Sequence, residues 1–185
     1  MVYDRFGPRL CAFGGDDASR PFALASAELL AADGAVWLPL PECPQRRREA
    51  AVAAVRGQLH VVGGFDGRRA LACAHRLEVW RSGGGHWEQL PPMTTARRGA
   101  AAVSFAGQLC VAGGYDDFRD EALRSTERYD DRQNVWRPWM MLALGRGEAT
   151  AVATAGALYL FGGYGDQRMV AWVSGEHCEA NSWRG

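Results

Sequence analysis

The segment AAVAAVRGQLHVVGG (residues 50–64) recurs as AAAVSFAGQLCVAGG (100–114) and as ATAVATAGALYLFGG (149–163). Each copy contains two apolar runs that are separated by a short glycine-containing turn and closed by a Gly-Gly pair. Glycine accepts the positive φ that a tight hairpin turn requires, so each copy predicts a β-hairpin. Gly14 and Gly15 continue the series, because successive Gly-Gly pairs are about 50 residues apart.

A tryptophan follows each Gly-Gly pair at a similar distance: Trp37, Trp87, Trp136 and Trp183. Between the two features lie a polar stretch and then a further strand-like segment, such as CAHRLEVW (73–80) or STERYD (125–130). Each repeat therefore predicts four strands, which are the two of the hairpin, a third strand and the tryptophan strand.

The period, the double glycine and the tryptophan together resemble the kelch repeat, in which each unit forms one four-stranded blade of a β-propeller. Kelch repeats often carry an aromatic residue before the last turn, and Trp80 and Tyr129 match it, whereas Leu30 and Glu176 replace it. The Ala- and Val-rich first strands are expected nearest the propeller axis, where only small side chains fit. The resemblance implies an all-β, kelch-type propeller segment with four four-stranded antiparallel blades, from a propeller of six blades. Its repeats are expected at about 1–45, 46–95, 96–144 and 145–185.

Three segments are similar to the animal Kelch-like family: PPMTTARR (91–98), GGYDDF (113–118) and STERYD (125–130). Members of that family join such a propeller to BTB and BACK domains and present substrates to a cullin-based ubiquitin ligase. The repeats occupy residues 1–185, so neither of those domains is expected here. The resemblance therefore implies a substrate-recognition module that reaches a cullin ligase only through domains outside the repeats.

Two sets of arginines recur at loop positions and are the candidate partner-binding residues. One set precedes the first strand of a repeat: Arg47, Arg97 and Arg146. The other set follows the Gly-Gly pair: Arg20, Arg69, Arg119 and Arg168. In a propeller both kinds of loop open on the same face, around the central channel. Because a guanidinium can grip a carboxylate or phosphate, these arginines predict an acidic or phosphorylated peptide segment of another protein as the ligand.

A structural role fits the same arginines equally well. Acidic residues recur beside them and can pair with them between neighbouring blades: Asp17, Asp66, Asp116 and Asp166. Phe65, Tyr115 and Tyr164 stand directly after the Gly-Gly pairs, where aromatic rings can anchor a partner or pack between blades. The sequence leaves both roles open for the arginines and for the aromatic residues.

Composition restricts the other function classes. The 21 basic residues balance the 21 acidic ones, so nothing favours nucleic acid or an anionic membrane as a partner. The four histidines and five cysteines form no catalytic or metal-binding spacing, so we expect no enzyme, no cofactor and no metal. The cysteine pattern and the lack of a secretory signal predict a cytoplasmic, intracellular protein. An actin-binding kelch protein and a propeller enzyme are the alternatives.

Overall fold

A computed structural model describes residues 2–4, 7–17, 19, 22–31, 36–79, 84–117, 121–165, 175–179 and 182–184. Every regular element in these ranges is a β-strand, as the sequence predicts for an all-β fold. Several residues named above lie outside the described residues: Arg20, Trp80, Arg119, Asp166 and Arg168.

Blade 1 is built from five short strands: β1 (Val2–Asp4), β2 (Gly7–Arg9), β3 (Cys11–Phe13), β4 (Ala27–Leu30) and β5 (Trp37–Leu40). Strands β3, β4 and β5 form a three-stranded antiparallel sheet, whereas β1 pairs with β2 in a separate ribbon. The first repeat thus differs from the four-stranded expectation, because its second strand is interrupted at Leu10.

The other three blades are four-stranded antiparallel sheets with their strands in chain order. Blade 2 contains β6 (Ala51–Val55), β7 (Gln58–Val62), β8 (Ala74–Val79) and β9 (Gly85–Leu90). Blade 3 contains β10 (Ala101–Phe105), β11 (Gln108–Ala112), a small ribbon of β12 (Tyr115–Asp116) and β13 (Glu121–Ala122), and then β14 (Ser125–Asp130) and β15 (Val135–Met141). Blade 4 contains β16 (Thr150–Ala153), β17 (Leu158–Phe161), β18 (Gly175–Glu179) and β19 (Ser182–Arg184).

The predicted hairpin turns form in blades 2 and 3. Arg56 and Gly57 have φ of 51° and 80°, and Ala106 and Gly107 have φ of 49° and 71°. Both turns therefore have two residues in the left-handed region, as a tight hairpin turn of the primed type requires. In blade 4 Gly156 does not adopt a positive φ, and the turn is closed by a bond from Thr154 N–H to the Ala157 carbonyl.

The core lies between neighbouring sheets and not within any one of them. One cluster joins Ala51, Ala53 and Val62 of blade 2 to Leu109, Val111 and Trp136 of blade 3. Equivalent clusters join blade 1 to blade 2 and blade 3 to blade 4. The first strands β6, β10 and β16 contact one another in series, so the small residues stand innermost, as predicted.

Candidate protein-binding rim

The linker arginines Arg47, Arg97 and Arg146 are buried, with 0%, 0% and 1% of each residue exposed. The backbone of each is bonded to the blade before it. In Arg97 the N–H donates to the Leu71 carbonyl at 3.0 Å, and the carbonyl accepts from the Gly64 N–H at 2.9 Å. The other two linker arginines make the same pair of backbone hydrogen bonds. Arg47 bonds to Leu24 and Gly15, and Arg146 bonds to Leu123 and Gly114.

The side chain of Arg97 reaches into the following blade. Its Nη1 donates to the carbonyls of Gly113 and Ser125 at 2.7 and 3.0 Å, and its Nη2 donates to Glu127 Oε1 at 2.8 Å. Glu127 is 1% exposed and also accepts from the backbone and hydroxyl of Thr94, both at 2.7 Å. Burial lowers the pKa of Arg97, and the neighbouring carboxylate of Glu127 opposes that shift.

Arg47 makes the same contacts one blade earlier. Its guanidinium donates to the carbonyls of Gly63 and Cys73 at 3.0 and 3.3 Å, and it meets His75 Nδ1 at 2.9 Å. His75 replaces the acid of blade 3, and burial together with the charge of Arg47 lowers its pKa to about 4. A neutral imidazole can accept the bond at Nδ1. Arg146 likewise donates to the Gly162 carbonyl at 2.9 Å.

These contacts correct the expectation that Arg47, Arg97 and Arg146 line an open binding face. Each holds one blade with its backbone and the next with its side chain, which is the structural role that the sequence left open. On the third strands the side-chain partners are His75 for Arg47 and Glu127 for Arg97.

The Gly-Gly pairs make room for these linkers. A Cβ on Gly64 would lie 2.7 Å from the Arg48 carbonyl, and one on Gly114 would lie 2.8 Å from the Arg98 carbonyl. Both glycines also have positive φ, of 99° and 95°. Backbone proximity and positive φ therefore require glycine at these two positions.

The rim beside these linkers is formed by the residue after Arg47 and the residue after Arg97. Arg48 pairs with Phe65 through two backbone hydrogen bonds, and Arg98 pairs in the same way with Tyr115. The guanidinium carbon of Arg48 lies 4.9 Å from the Phe65 ring centroid, and that of Arg98 lies 5.8 Å from it. We call Arg48, Phe65, Arg98 and Tyr115 the rim ladder, since cationic and aromatic side chains alternate along it.

The three predicted aromatic residues have different environments. Phe65 is half-buried in the rim ladder, whereas Tyr115 is fully buried, packs against Gly147 and donates its hydroxyl to the Tyr164 carbonyl at 3.3 Å. Tyr115 therefore packs between blades, the alternative that the sequence left open. Tyr164 is 40% exposed and is available at the rim.

The rim carries both signs of charge. Arg48 pairs with Asp16 at 3.2 Å, and Arg98 pairs with Asp117 at 2.7 Å and with Glu49 at 3.3 Å. Asp117 also accepts a hydrogen bond from the Ala70 N–H. The predicted residue Arg69 is much freer, because its side chain is 80% exposed and lies 4.0 Å from Asp66.

Two adjoining depressions follow the rim between blades 2 and 3. The larger, of about 720 Å³, is lined by loop residues that include Arg69, Ala70, Leu71 and Ala72. The smaller, of about 330 Å³, is lined by Arg48, Glu49, Phe65, Arg98 and Asp117. Asp117 lines both, so they form one continuous surface, which we call the rim groove.

A further cleft of about 350 Å³ lies at the opposite ends of the strands, beside the hairpin turns. Arg76 in this cleft pairs with Glu88 at 2.7 Å and with Asp131 of blade 3 at 3.0 Å. These charges are satisfied inside the protein and tie two blades together, so the cleft is assigned to the scaffold.

Arg48 and Arg98 are the rim residues that sequence reasoning missed. Both stand directly after a buried arginine, and their recurrence in two repeats was a usable signal, but Gly147 takes the position in the third. In the described part of the chain, no group of three or more potential ligands is placed to hold a metal. Within the same ranges, no helix has the length and apolar character needed to cross a membrane.

The sequence matches the Kelch motif twice, at residues 46–94 and 96–138. No curated protein matches it. The solved structure of YjhT is similar in fold, with a TM-score of 0.74 and 14% sequence identity. The match covers 88% of this chain and 52% of YjhT, so the chain spans about half the length of that protein.

The motif matches, the four-stranded sheets and the fold likeness define a kelch-type β-propeller segment. Kelch repeats generally serve as protein-binding modules, which is the coarse function that the motif implies. The motif does not separate one kelch family from another, so the resemblance to the Kelch-like family stays a prediction.

Proposed function

We propose that the rim groove binds an acidic or phosphorylated segment of a partner protein. The observation that carries this proposal is the rim ladder, in which Arg48 and Arg98 flank the half-buried ring of Phe65 beside an open depression. Arginine and aromatic residues, phenylalanine included, are enriched in protein–protein interfaces.

Arg48 and Arg69 have the capacity to take a ligand anion. The ion pair between Arg48 and Asp16 is solvent-exposed, with 38% and 55% of the two side chains accessible. Such pairs contribute about 0–1 kcal/mol, so a carboxylate or phosphate of the ligand can replace Asp16 at little cost. The highly exposed Arg69 offers a second guanidinium.

Arg98 has a different part in this surface. It is only 16% exposed at the side chain and is fixed between Glu49 and Asp117. It therefore holds the Phe65 ring in place, while the apolar lining of the larger depression accommodates side chains next to the ligand's acidic group. A groove with both charged and apolar lining favours a peptide over a free anion, because apolar contacts with the peptide add to the contacts with its charge.

The proposal is tested by fluorescence polarisation with labelled acidic peptides and their phosphoserine counterparts. We expect Arg48→Ala combined with Arg69→Ala to weaken the Kd of the bound peptides at least about tenfold, as for the loss of charge-assisted bonds. Arg132→Ala combined with Arg137→Ala removes the same charge from exposed positions on blade 3 outside the rim groove and should change the Kd less than about twofold. Equal weakening by both variants would show that only net charge matters and would refute the site.

The finer role that we propose is recognition of a substrate for a cullin-based ubiquitin ligase, by a non-enzymatic intracellular protein. The resemblance of segments such as PPMTTARR (91–98) to the Kelch-like family supports it, as do the four free thiols among the described cysteines. A partner captured through the rim should lose ubiquitin attachment in cells when Arg48 and Arg69 are replaced. Co-sedimentation of the chain with actin filaments, unchanged by those replacements, would favour the cytoskeletal alternative.

A further inference from the structure

Arg47 holds two cysteines at the junction between blades 1 and 2. Its Nη2 donates to Cys73 Sγ at 3.2 Å, and its guanidinium also donates a hydrogen bond to the Cys43 sulfur. Cys43 and Cys73 in turn interact electrostatically with each other. Two thiols that are distant in the sequence therefore meet at one buried cation.

The next junction is built without these thiols. Backbone hydrogen bonds place Met93 at the position of Cys43. They also place Ser125 at the position of Cys73, and Arg97 Nη2 donates to the Ser125 hydroxyl at 3.1 Å. A thioether and a hydroxyl therefore occupy the same two places in an intact junction. The thiol pair is a feature of one junction and not a requirement for joining blades.

The two cysteines differ in their access to solvent. Cys73 is half-buried and lines the larger depression of the rim groove, so a small dissolved oxidant can reach its sulfur. Cys43 is only 4% exposed, and burial raises its pKa, although the charge of Arg47 opposes this shift. A partly exposed sulfur beside a cation is typical of reactive cysteines, whereas a buried thiol does not react first.

We propose that Cys73 and Cys43 form an oxidation site for peroxides, at which the two thiols are converted into a disulfide. The Cys73 sulfur attacks one oxygen of hydrogen peroxide and the O–O bond breaks, which gives a sulfenic acid and releases the other oxygen as water. The Cys43 sulfur then attacks the Cys73 sulfur and the S–O bond breaks, so that the hydroxyl group leaves with the Cys43 proton as a second water. The thiols lose two electrons and two protons in total, and the peroxide is reduced to water.

This disulfide joins blades 1 and 2 covalently beside the rim groove. Cys43 is bonded to blade 1, because its N–H donates to the Ala25 carbonyl at 2.9 Å. Cys73 directly precedes strand β8 of blade 2. The bond is reversible, since a thiol in solution can attack it and restore both cysteines.

The test treats the reduced full chain with hydrogen peroxide, alkylates the remaining thiols and maps the tryptic peptides by mass spectrometry. We expect the Cys43 peptide to be cross-linked to ALACAHR (70–76) with the loss of two hydrogens, and dithiothreitol to separate the two. Cys11 and Cys110 are internal controls and should be recovered as alkylated thiols. In urea the share of this cross-link among all disulfides should fall at least about twofold, because neighbouring cysteines of the unfolded chain close loops of similar length.

Two variants that carry the residues of the next junction separate the two steps. Cys43→Met should abolish the disulfide and leave Cys73 as a sulfenic acid that dimedone traps. Cys73→Ser should leave Cys43 as a free thiol after the same treatment. The proposal is overturned if the folded chain does not form the cross-link, if its share is unchanged in urea, or if Cys43 is oxidised as fast in Cys73→Ser as in the original chain. None of these outcomes depends on peptide binding at the rim groove.

Discussion

At the scale of single residues, adjacent arginines have opposite environments. Arg97 is buried and bonded to four groups of the next blade, whereas Arg98 lies at the rim over two aromatic rings. The difference follows from extended backbone, because Arg98 forms an antiparallel bridge with Tyr115 and adjacent side chains of an extended segment point to opposite sides. One arginine therefore stabilises the scaffold, and its neighbour is available to shape a binding surface.

Two buried histidines make the stability depend on pH. Burial is the main cause that lowers the pKa of His60 and of His75, in each case to about 4 from an ordinary value of 6.5. The folded protein keeps both rings neutral, while the unfolded chain takes up protons once the pH falls below about 6.5. The free energy of unfolding is therefore expected to fall as the pH decreases from about 6.5 to about 4, by up to about 1.4 kcal/mol per pH unit for each histidine.

Urea unfolding at about pH 7 and about pH 5 measures this effect. His60→Cys places in blade 2 the residue that blade 3 has at the same position, Cys110, and should remove close to half of the pH dependence. An unchanged pH dependence in this variant would mean that His60 takes up its proton equally in the folded and unfolded protein, so that its pKa is not lowered by folding.

At the scale of elements, the hairpin turns of blades 3 and 4 differ in backbone conformation. Replacing an alanine by glycine should therefore change the melting temperature differently in the two turns. Ala106 has a φ of 49°, and a non-glycine residue in this region costs about 1–2 kcal/mol. Ala106→Gly removes that cost but adds about 0.5–1 kcal/mol of backbone entropy, so a net gain of about 1 kcal/mol should raise the melting temperature by about 2–4 °C. Ala155 occupies the matching place in blade 4 without a positive φ, so Ala155→Gly should leave the melting temperature unchanged or lower it. Differential scanning calorimetry of both variants measures the two melting temperatures. An equal change in melting temperature would contradict the assigned turn geometry.

The strands and the blade order could be predicted from the sequence because they depend on features that recur. The Gly-Gly pairs, the hairpins and the tryptophans obey one period, and each has a local physical cause, such as the close backbone approach at Gly64. The first repeat departs from the expectation at its hairpin. Gly7 and Pro8 stand where the other copies have their hairpin turns, but in blade 1 they belong to β2, which pairs with β1 and ends before Leu10.

The site could be predicted only in part. Arg69 and Phe65 line the rim groove, but the three linker arginines do not. The partner of Arg47 is a histidine and the partner of Arg97 is a glutamate. No residue type common to the repeats therefore indicated the pairing in the sequence. Linkers also lack the two-residue alternation of a strand, and the sequence therefore gave no reason to bury Arg97 in preference to Arg98.

At the scale of the whole molecule, each blade contacts its neighbours in series, as in other repeat proteins. The stability of such an array is approximately a sum of blade terms and junction terms. Damage at one junction should therefore stay close to that junction, and binding residues at the rim can be changed without loss of the fold. Both consequences depend on the central claim that buried linker arginines join the blades.

Hydrogen exchange of the full chain carrying Arg97→Met tests this claim most directly, with Arg48→Met as the matched control. Replacing Arg97 removes its bonds to Gly113, Ser125 and Glu127, so residues 91–98 and strand β14 should exchange at least about tenfold faster. Strands β4 and β5 of blade 1 should keep their protection, and Arg48→Met should leave all blades unchanged. Unaltered exchange at residues 91–98, or an equal loss of protection in every blade, would contradict the claim.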